Sequence, residues 1–188
     1  MKQWLDAAID RGAVPVLTGQ NGDMDTIGSA IALAAIHPSL LACGLHLGRI
    51  AKRLVEEMDA PFRKIAANGT VFPDQLGGVI IVDAAAPTQV GIDLPEVPRL
   101  IIDHHATNGW ELREGDYMVQ WDVRATTEMV ATYMFQHAKA ALTSPVRKML
   151  LAGMITDTGR YRHANQSSFD ITSKPVSYTH LTLPTTPV

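Results

Sequence analysis

The stretch that decides the fold is residues 99–105, Arg99-Leu100-Ile101-Ile102-Asp103-His104-His105. Its continuous apolar run is typical of a strand in the middle of a parallel sheet, where both faces are covered. The run ends on a carboxylate and two imidazoles, all of which can bind a metal ion. Because ligands bind to open parallel sheets beyond the carboxyl ends of the strands, this stretch predicts an active site rather than core packing.

Strand and helix patterns alternate along the rest of the chain. A second apolar run, residues 78–84, also reaches an aspartate, Asp83, and residues 13–18 form a shorter β-rich run. Helical spacing of apolar residues follows at 26–36, 49–58, 126–142 and 146–155. This alternation predicts an α/β fold, a doubly wound, mainly parallel sheet with helices on both faces.

Composition narrows the class of protein. A chain of 188 residues, 46% hydrophobic and 19% charged, fits one globular domain. Its net charge of -3 gives no basic field, so we expect no duplex nucleic acid partner, although a local patch can hold a small anion. The single cysteine, Cys43, fits a reducing compartment. No apolar run approaches the roughly 20 residues of a membrane span, so we expect a cytoplasmic protein without a membrane partner.

Acidic and histidine residues cluster at the predicted strand and helix ends. Each aspartate alone would be interpreted as a cap or turn residue, but these positions can meet at one edge of the sheet. Carboxylates that lie so close repel one another unless divalent cations bind their ionised form. Oxygen-rich ligands with a few imidazoles suit Mn²⁺ or Mg²⁺ better than Zn²⁺. The sequence therefore predicts one or two such ions, held among Asp23, Asp25, Asp83, Asp103, His104, His105 and Asp157.

Four segments resemble, in order, the successive motifs of the DHH phosphoesterase family. They are NGDMDTIGS (21–29), IIVD (80–83), DHH (103–105) and GMITDTGRYR (153–162). That family includes RecJ-type exonucleases, short-oligonucleotide nucleases that also act on 3′-phosphoadenosine phosphate, cyclic-dinucleotide phosphodiesterases, exopolyphosphatases and an inorganic pyrophosphatase. The resemblance extends over residues 15–165 or so and implies the N-terminal catalytic domain of such an enzyme.

The resemblance also implies two divalent ions, usually manganese, and a role for each ligand. Asp23 would bind the first ion and Asp83 would bridge the two. The second ion would be held by Asp25, His104 and Asp157. Such a pair of ions can deprotonate a shared water and stabilise the attacking and leaving oxygens in line.

Further residues are expected to support the metal ligands or to contact the substrate. Asp103 would accept a hydrogen bond from a neighbouring imidazole and so orient that ring. His105 would contact the phosphate or protonate the leaving oxygen. After the last motif, basic side chains could neutralise a substrate phosphate, a surface loop being the alternative interpretation: Arg160, Arg162 and His163.

The chain departs from the family pattern at Gly19. The family usually has a histidine there, four residues before the first motif aspartate, as a ligand of the first ion. Glycine has no side chain, so Gln20 or Asn21 could supply a carbonyl oxygen, a water could fill the gap, or the first ion could bind weakly. Exopolyphosphatase-like members also lack the histidine and carry asparagine at this position.

The second departure is at the C-terminal end. Family hydrolases continue into a smaller C-terminal domain that covers the cleft, and this chain stops before it. Residues 176–185 resemble a translated transposase adapter from sequencing-library preparation, the alternative being a native threonine-rich extension. We therefore expect a catalytic domain at 1–174 and a non-native tail at 175–188. Without the covering domain, we expect weak or no activity from the chain itself.

The leading functional prediction is hydrolysis of phosphoester bonds in short oligonucleotides or small nucleotides by metal-activated water. A phosphoanhydride hydrolase of the exopolyphosphatase type is the alternative within enzymes. A catalytically impaired nucleotide-binding domain is the alternative outside them. A homodimer is compatible with each interpretation.

Overall fold

The computed structural model describes residues 1–178 and contains one six-stranded sheet. Its strands are β1 (Val14–Thr18), β2 (Leu40–Gly44), β3 (Arg63–Lys64), β4 (Val79–Val82), β5 (Arg99–Asp103) and β6 (Tyr117–Gln120). All neighbouring strands pair in parallel, in the order β3-β2-β1-β4-β5-β6. From β1 the chain adds β2 and β3 on one side, and it then returns to add β4, β5 and β6 on the other side. The order of strands therefore switches between β1 and β4, and such a switch leaves a crevice beyond the carboxyl ends of the two strands.

Six α-helices connect and cover these strands. They are α1 (Lys2–Arg11), α2 (Met24–Ala34), α3 (Arg49–Glu57), α4 (Thr126–His137), α5 (Ser144–Asp157) and α6 (Gln166–Tyr178). The predicted helix at 126–142 is shorter than expected, because the chain leaves α-helical geometry at Ala138 and continues as a 3-10 turn, Lys139–Ala141. Of the tail predicted at 175–188, residues 179–188 lie outside the described residues.

The larger core lies between the sheet and the helices, and each of the six α-helices contributes to it. Helix α2 is at its centre and packs closely on α5. A Cβ at Gly28 would lie 2.7 Å from the backbone oxygen of Met149 in α5, so only glycine allows this approach. Close packing therefore explains the small residue at this position in α2.

The opposite face of the sheet carries a smaller core built from strand and loop residues, including Leu17, Ile81, Ile101 and Trp110. The α/β class and the parallel sheet are confirmed, but the prediction placed helices on both faces, and no residue of this second core comes from an α-helix. The connection that covers it, residues 83–98, contains three prolines and the short 3-10 helix Pro87–Gln89. Proline removes helical hydrogen bonds, which disfavours a longer helix here.

No helix in the described part of the chain is both long and apolar enough to cross a membrane.

Candidate metal centre

Metal-capable side chains meet at the carboxyl edge of the sheet, where β1, β4 and β5 end. Two groups of three have their ligand atoms within 4.8 Å of one another, and they share His104. The first group is Asp83, His104 and His105, and the second is Asp25, His104 and Asp157. The strand ends, the start of α2 and the end of α5 therefore bring together residues that are far apart in the sequence.

His104 lies at the middle of the cluster. Its Nε2 atom lies 3.5 Å from Asp83 Oδ1, 3.6 Å from Asp157 Oδ2 and 4.0 Å from Asp25 Oδ2. The other ring nitrogen, Nδ1, faces the backbone oxygen of Val123 at 3.4 Å. A carbonyl beside Nδ1 favours the tautomer with the proton on that nitrogen, which leaves Nε2 free to bind a cation.

The carboxylate of Asp25 is held by the N-terminus of α4. Oδ2 accepts the backbone N–H of Thr126 at 2.7 Å, and Oδ1 accepts the backbone N–H and the hydroxyl of Thr127 at 2.8 and 2.5 Å. Ala125, the residue at the N-cap of α4, offers no side-chain cap of its own. Asp25 thus caps a helix that begins about 100 residues later, and the positive end of that helix stabilises its charge.

Sequence reasoning did not assign these two threonines to the site. Thr126 also donates its hydroxyl to Asp83 Oδ1 at 3.1 Å, so the start of α4 contacts both buried aspartates. The pair Thr126-Thr127 at a predicted helix start was the available signal. Two of the donors are backbone amides, however, which a sequence does not reveal.

Asp83 has an unusual backbone for its place at the end of β4. Its φ of 57° lies in the left-handed region, which costs free energy for a residue other than glycine. The residue is 6% exposed. Burial raises the pKa of its carboxyl well above the ordinary value, and the negative charges of Asp25, Asp23 and Asp157 raise it further. Strain and repulsion of this kind are typical of a functional position.

The carboxyl pKa values of Asp25 and Asp157 are raised as well. Burial raises the pKa of Asp25 to about 6, with Asp157 contributing in the same direction and Thr127 and His104 opposing it. Burial also raises the pKa of Asp157, while His104 opposes this rise. A divalent cation would favour the ionised carboxylates and remove their mutual repulsion. Two buried carboxylates, Asp25 and Asp83, together with the more exposed Asp157 and imidazole nitrogens, fit a hard or borderline divalent ion such as Mn²⁺ or Mg²⁺.

Asp103 and His105 form a pair beside the cluster. His105 Nδ1 lies 2.7 Å from Asp103 Oδ1, and it also lies 4.0 Å from Asp83 Oδ1. Asp103 is fully buried, and its second oxygen, Oδ2, has no hydrogen-bond partner among the described residues. If Nδ1 donates to Asp103, the half-exposed ring of His105 presents Nε2 to the crevice. The geometry is compatible with the predicted roles of both residues, which stay predictions.

Asp23 lies beside the cluster and belongs to neither group of three. Its Oδ1 accepts the backbone N–H groups of Asp25 and Thr26 and so caps α2, and its Oδ2 accepts the amide of Asn21 at 2.6 Å. Its charge nevertheless raises the pKa of Asp83. The predicted role of Asp23 as a ligand of the first ion stays a prediction.

Gly19 opens a small polar cavity next to this position. The cavity has a volume of about 210 Å³ and is lined by Gly19, Gln20, Asn21, Asp83, Gln89 and His105. A Cβ on Gly19 would lie 2.9 Å from the backbone oxygen of Asp83 and 3.1 Å from Asn21 Oδ1. A histidine here would require the Asp83 backbone to move. The Asn21 side-chain oxygen would also have to shift slightly to make room for the Cβ of that histidine.

The basic residues predicted to contact phosphate lie on the loop that follows α5. Arg160, Arg162 and His163 are exposed, and Arg160 has a left-handed φ of 60°. Within the described residues, neither guanidinium makes a hydrogen bond or an ion pair. The structure therefore does not bring these side chains into contact with the carboxylates.

Comparisons with known proteins agree with this architecture. A family model described as the DHH family, N-terminal domain, matches residues 13–154. A protein of Methanocaldococcus jannaschii described as uncharacterised is 24% identical over 174 residues, which cover 88% of this chain and 51% of that protein.

Two solved structures are similar in fold. A candidate family II inorganic pyrophosphatase of Methanococcus jannaschii is 21% identical with a TM-score of 0.73, covering 90% of this chain and 57% of that one. An exopolyphosphatase-related protein of Bacteroides fragilis is 16% identical with a TM-score of 0.74, covering 94% and 54%. The chain thus spans about half the length of the relatives it matches.

Proposed function

The chain belongs to the DHH family, and on that premise we propose that it is a divalent-metal-dependent phosphohydrolase in which water attacks phosphorus. The observation that carries the proposal is the convergence of Asp25, Asp83 and Asp157 on His104 at the carboxyl edge of the sheet. Carboxylates with raised pKa values are unfavourable without a cation, and hydrogen bonds from the start of α4 hold the two buried ones, Asp25 and Asp83, in place.

The residues around the cluster supply the remaining functions. Mn²⁺ or Mg²⁺ held by the three aspartates and His104 would lower the pKa of a water nucleophile and neutralise phosphoryl charge. His105, whose Nδ1 lies 2.7 Å from Asp103 Oδ1, would contact the phosphate or protonate the leaving oxygen. Arg160, Arg162 and His163 would approach a substrate phosphate from the loop after α5, where their exposure leaves them free to reorient.

We propose phosphoester bonds of short oligonucleotides or small nucleotides as the first substrate class. Phosphoanhydride bonds are the second, and two observations favour them: Gly19 stands where many family members have histidine, and the two similar structures carry pyrophosphatase and exopolyphosphatase-related descriptions. Both classes need the same attack on phosphorus and differ in the leaving group.

The proposed surroundings of the protein follow from its composition. We propose a cytoplasmic location, since the single cysteine is buried and reduced. The acidic net charge favours small phosphate substrates over duplex nucleic acid. A homodimer is compatible with the fold.

The experiment that tests the function measures Mn²⁺ binding by isothermal titration calorimetry and then hydrolysis. Three substrates separate the classes: bis(p-nitrophenyl) phosphate, a dinucleotide and tripolyphosphate. We expect saturable Mn²⁺ binding, and any Mn²⁺-dependent hydrolysis of the activated diester to be weak and to be abolished by Asp83→Asn. A chain that binds no Mn²⁺ and releases no product from any of the three would refute the proposal and favour a binding domain without catalysis.

A further inference from the structure

A cavity in the described part of the chain lies away from the metal centre. It has a volume of about 630 Å³ and is formed by β1, β2 and β3 on one side and by the loop 65–73 on the other. None of its lining residues belongs to the metal centre. Its volume falls within the range of roughly 300–1,000 Å³ that is typical of small-molecule sites.

The walls of this cavity are mostly apolar. Leu41, Cys43 and Phe72 contribute to them together with prolines and alanines. Apolar side chains of the walls also remain in contact with water: Leu41 in β2 is 39% exposed and Val71 in the loop is 91% exposed. Covering such side chains with an apolar ligand is favourable, because it removes apolar surface from water. The cavity therefore offers apolar surface that folding has left uncovered.

The charges around the cavity have one sign. Its lining contains two cations, Arg63 and Lys64, and no aspartate or glutamate, in a protein whose net charge is -3. Neither cation has an ion-pair or hydrogen-bond partner within the described residues. Arg63 pairs in register with Cys43, which places both side chains on the cavity face of the sheet.

The Cys43 thiol does not offset these charges. Burial raises the pKa of Cys43 to about 12, and the Arg63 guanidinium opposes this rise, so the thiol stays neutral at physiological pH. The neighbouring guanidinium is left without a negative charge to neutralise it.

From this arrangement we infer a binding site for a small amphiphile with an apolar body and one anionic group, such as a carboxylate, sulfonate or phosphate. The body lies against Leu41 and Phe72, and the anionic group meets Arg63 at the rim. A cationic ligand fits less well, because Arg63 and Lys64 would repel it, and a wholly polar ligand would leave the apolar walls uncovered. The inference is independent of the proposed phosphohydrolase activity, since no residue is shared with the metal centre.

The test compares three probes that share one body and differ in charge: naphthalene-1-sulfonate, 1-naphthalenemethanol and 1-naphthylmethylammonium. Their affinities for the full chain are measured by calorimetry in EDTA. We expect one saturable site with the order anion, neutral, cation. Because Arg63 is exposed, its charge should favour the anion over the neutral probe by about fivefold.

Two variants and one control assign the site. Arg63→Gln should remove most of the preference for the sulfonate over the neutral probe and leave the affinity for the neutral probe unchanged. Leu41→Trp should fill the cavity and weaken all three probes at least tenfold. Lys52→Gln, which removes an exposed charge from α3, should change nothing.

Equal affinities for the three probes, or binding that survives Leu41→Trp, would overturn the inference. Circular dichroism of each variant checks that it is folded. If Leu41→Trp does not fold, the exposed Arg63→Gln variant still decides: an undiminished preference for the sulfonate would overturn the inference by itself.

Discussion

Asp157 and Arg160 are three residues apart in the sequence, yet they belong to regions that are built in different ways. Asp157 ends α5 and lies in a cluster with Asp25 and His104, whereas Arg160 lies on an exposed loop with left-handed backbone. Asp25 is 1% exposed and accepts three hydrogen bonds from the start of α4. The carboxylate of Asp25 is therefore held in place before any ligand arrives, whereas the exposed side chain of Arg160 is free to reorient. We call the carboxylate cluster with the start of α4 the fixed region, and the loop that carries Arg160 and Arg162 the adaptable region.

The fixed region is unfavourable in the absence of a cation. For Asp25, the folded pKa of about 6 exceeds the ordinary 3.8, so ionisation is harder in the folded state than in the unfolded state. The associated loss of stability begins as pH rises above 3.8 and is complete above about pH 6. At neutral pH the metal-free protein is thus destabilised by the groups that a cation would stabilise.

The largest expected effect tests whether the fixed region binds metal. Asp83→Asn keeps the shape of the side chain and tolerates the left-handed φ, but it removes the charge at the centre of the cluster. We expect Mn²⁺ affinity to fall at least about 100-fold, measured by calorimetry at pH 7. In EDTA the same variant should melt at a higher temperature than the parent chain, because it removes a buried, repelled carboxylate.

The control for this prediction is Asp10→Asn, which removes the same charge from an exposed position on α1. It should change neither Mn²⁺ affinity nor the melting temperature. If Asp83→Asn bound Mn²⁺ as tightly as the Asp10→Asn control, Asp83 would have only a structural role. The carboxylate cluster would then not be the metal site.

The second prediction tests how much the preorganisation itself contributes. Thr127→Val removes the 2.5 Å hydroxyl hydrogen bond to Asp25 but keeps the β-branched shape and the backbone N–H bond. Because supporting hydrogen bonds orient metal ligands, we expect Mn²⁺ affinity to fall about 10-fold. Thr127→Ser keeps the hydroxyl and should restore most of the affinity. Equal affinities of the valine and serine variants would contradict the role assigned to this hydrogen bond.

Much of the fixed region could be predicted from sequence, for a physical reason. A strand buried on both faces leaves a continuous apolar run, and its end is marked by the first charged residue, as at Asp83 and Asp103. The edge strand β6 was missed because its four residues are half-buried or exposed, so they leave no such run. Strand β2 was missed because Pro38 precedes it by two residues and Gly44 ends it, so the apolar run between these turn-forming residues is short.

The supporting hydrogen bonds and the loop were harder to predict. Two of the three donors to Asp25 are backbone N–H groups. Every residue except proline has such a group, so the sequence does not show which of them will donate to the site. The motif around Asp157 continues into Arg160 and Arg162, so the pattern suggested one unit. The left-handed conformations at Gly159, Arg160 and Tyr161 turn the chain away from helical geometry, and this turn depends on tertiary packing.

The third prediction concerns the pH dependence of Mn²⁺ binding, to which the raised pKa of Asp25 contributes. Since Asp25 must lose its proton to bind a cation, Mn²⁺ affinity should fall as pH drops through about 6. Between pH 7 and pH 5 we expect a decrease of about tenfold from this group alone. Calorimetric titrations at half-unit intervals measure it. An affinity that is constant over this range would show that no carboxylate with a raised pKa binds the ion.

The smallest expected effect concerns the adaptable region. Arg160→Ala and Arg162→Ala each remove one exposed guanidinium, so we expect the Mn²⁺-loaded chain to bind pyrophosphate about three- to fivefold more weakly. Mn²⁺ affinity itself should stay unchanged, since neither guanidinium contacts the carboxylates. Arg53→Ala removes an exposed arginine from α3 and is the matched control.

If either loop variant weakened Mn²⁺ binding as Thr127→Val does, the loop would belong to the fixed region. If both bound pyrophosphate like the Arg53→Ala control, the loop would contact no phosphate, and the carboxylate cluster with His105 would have to recognise the substrate without it.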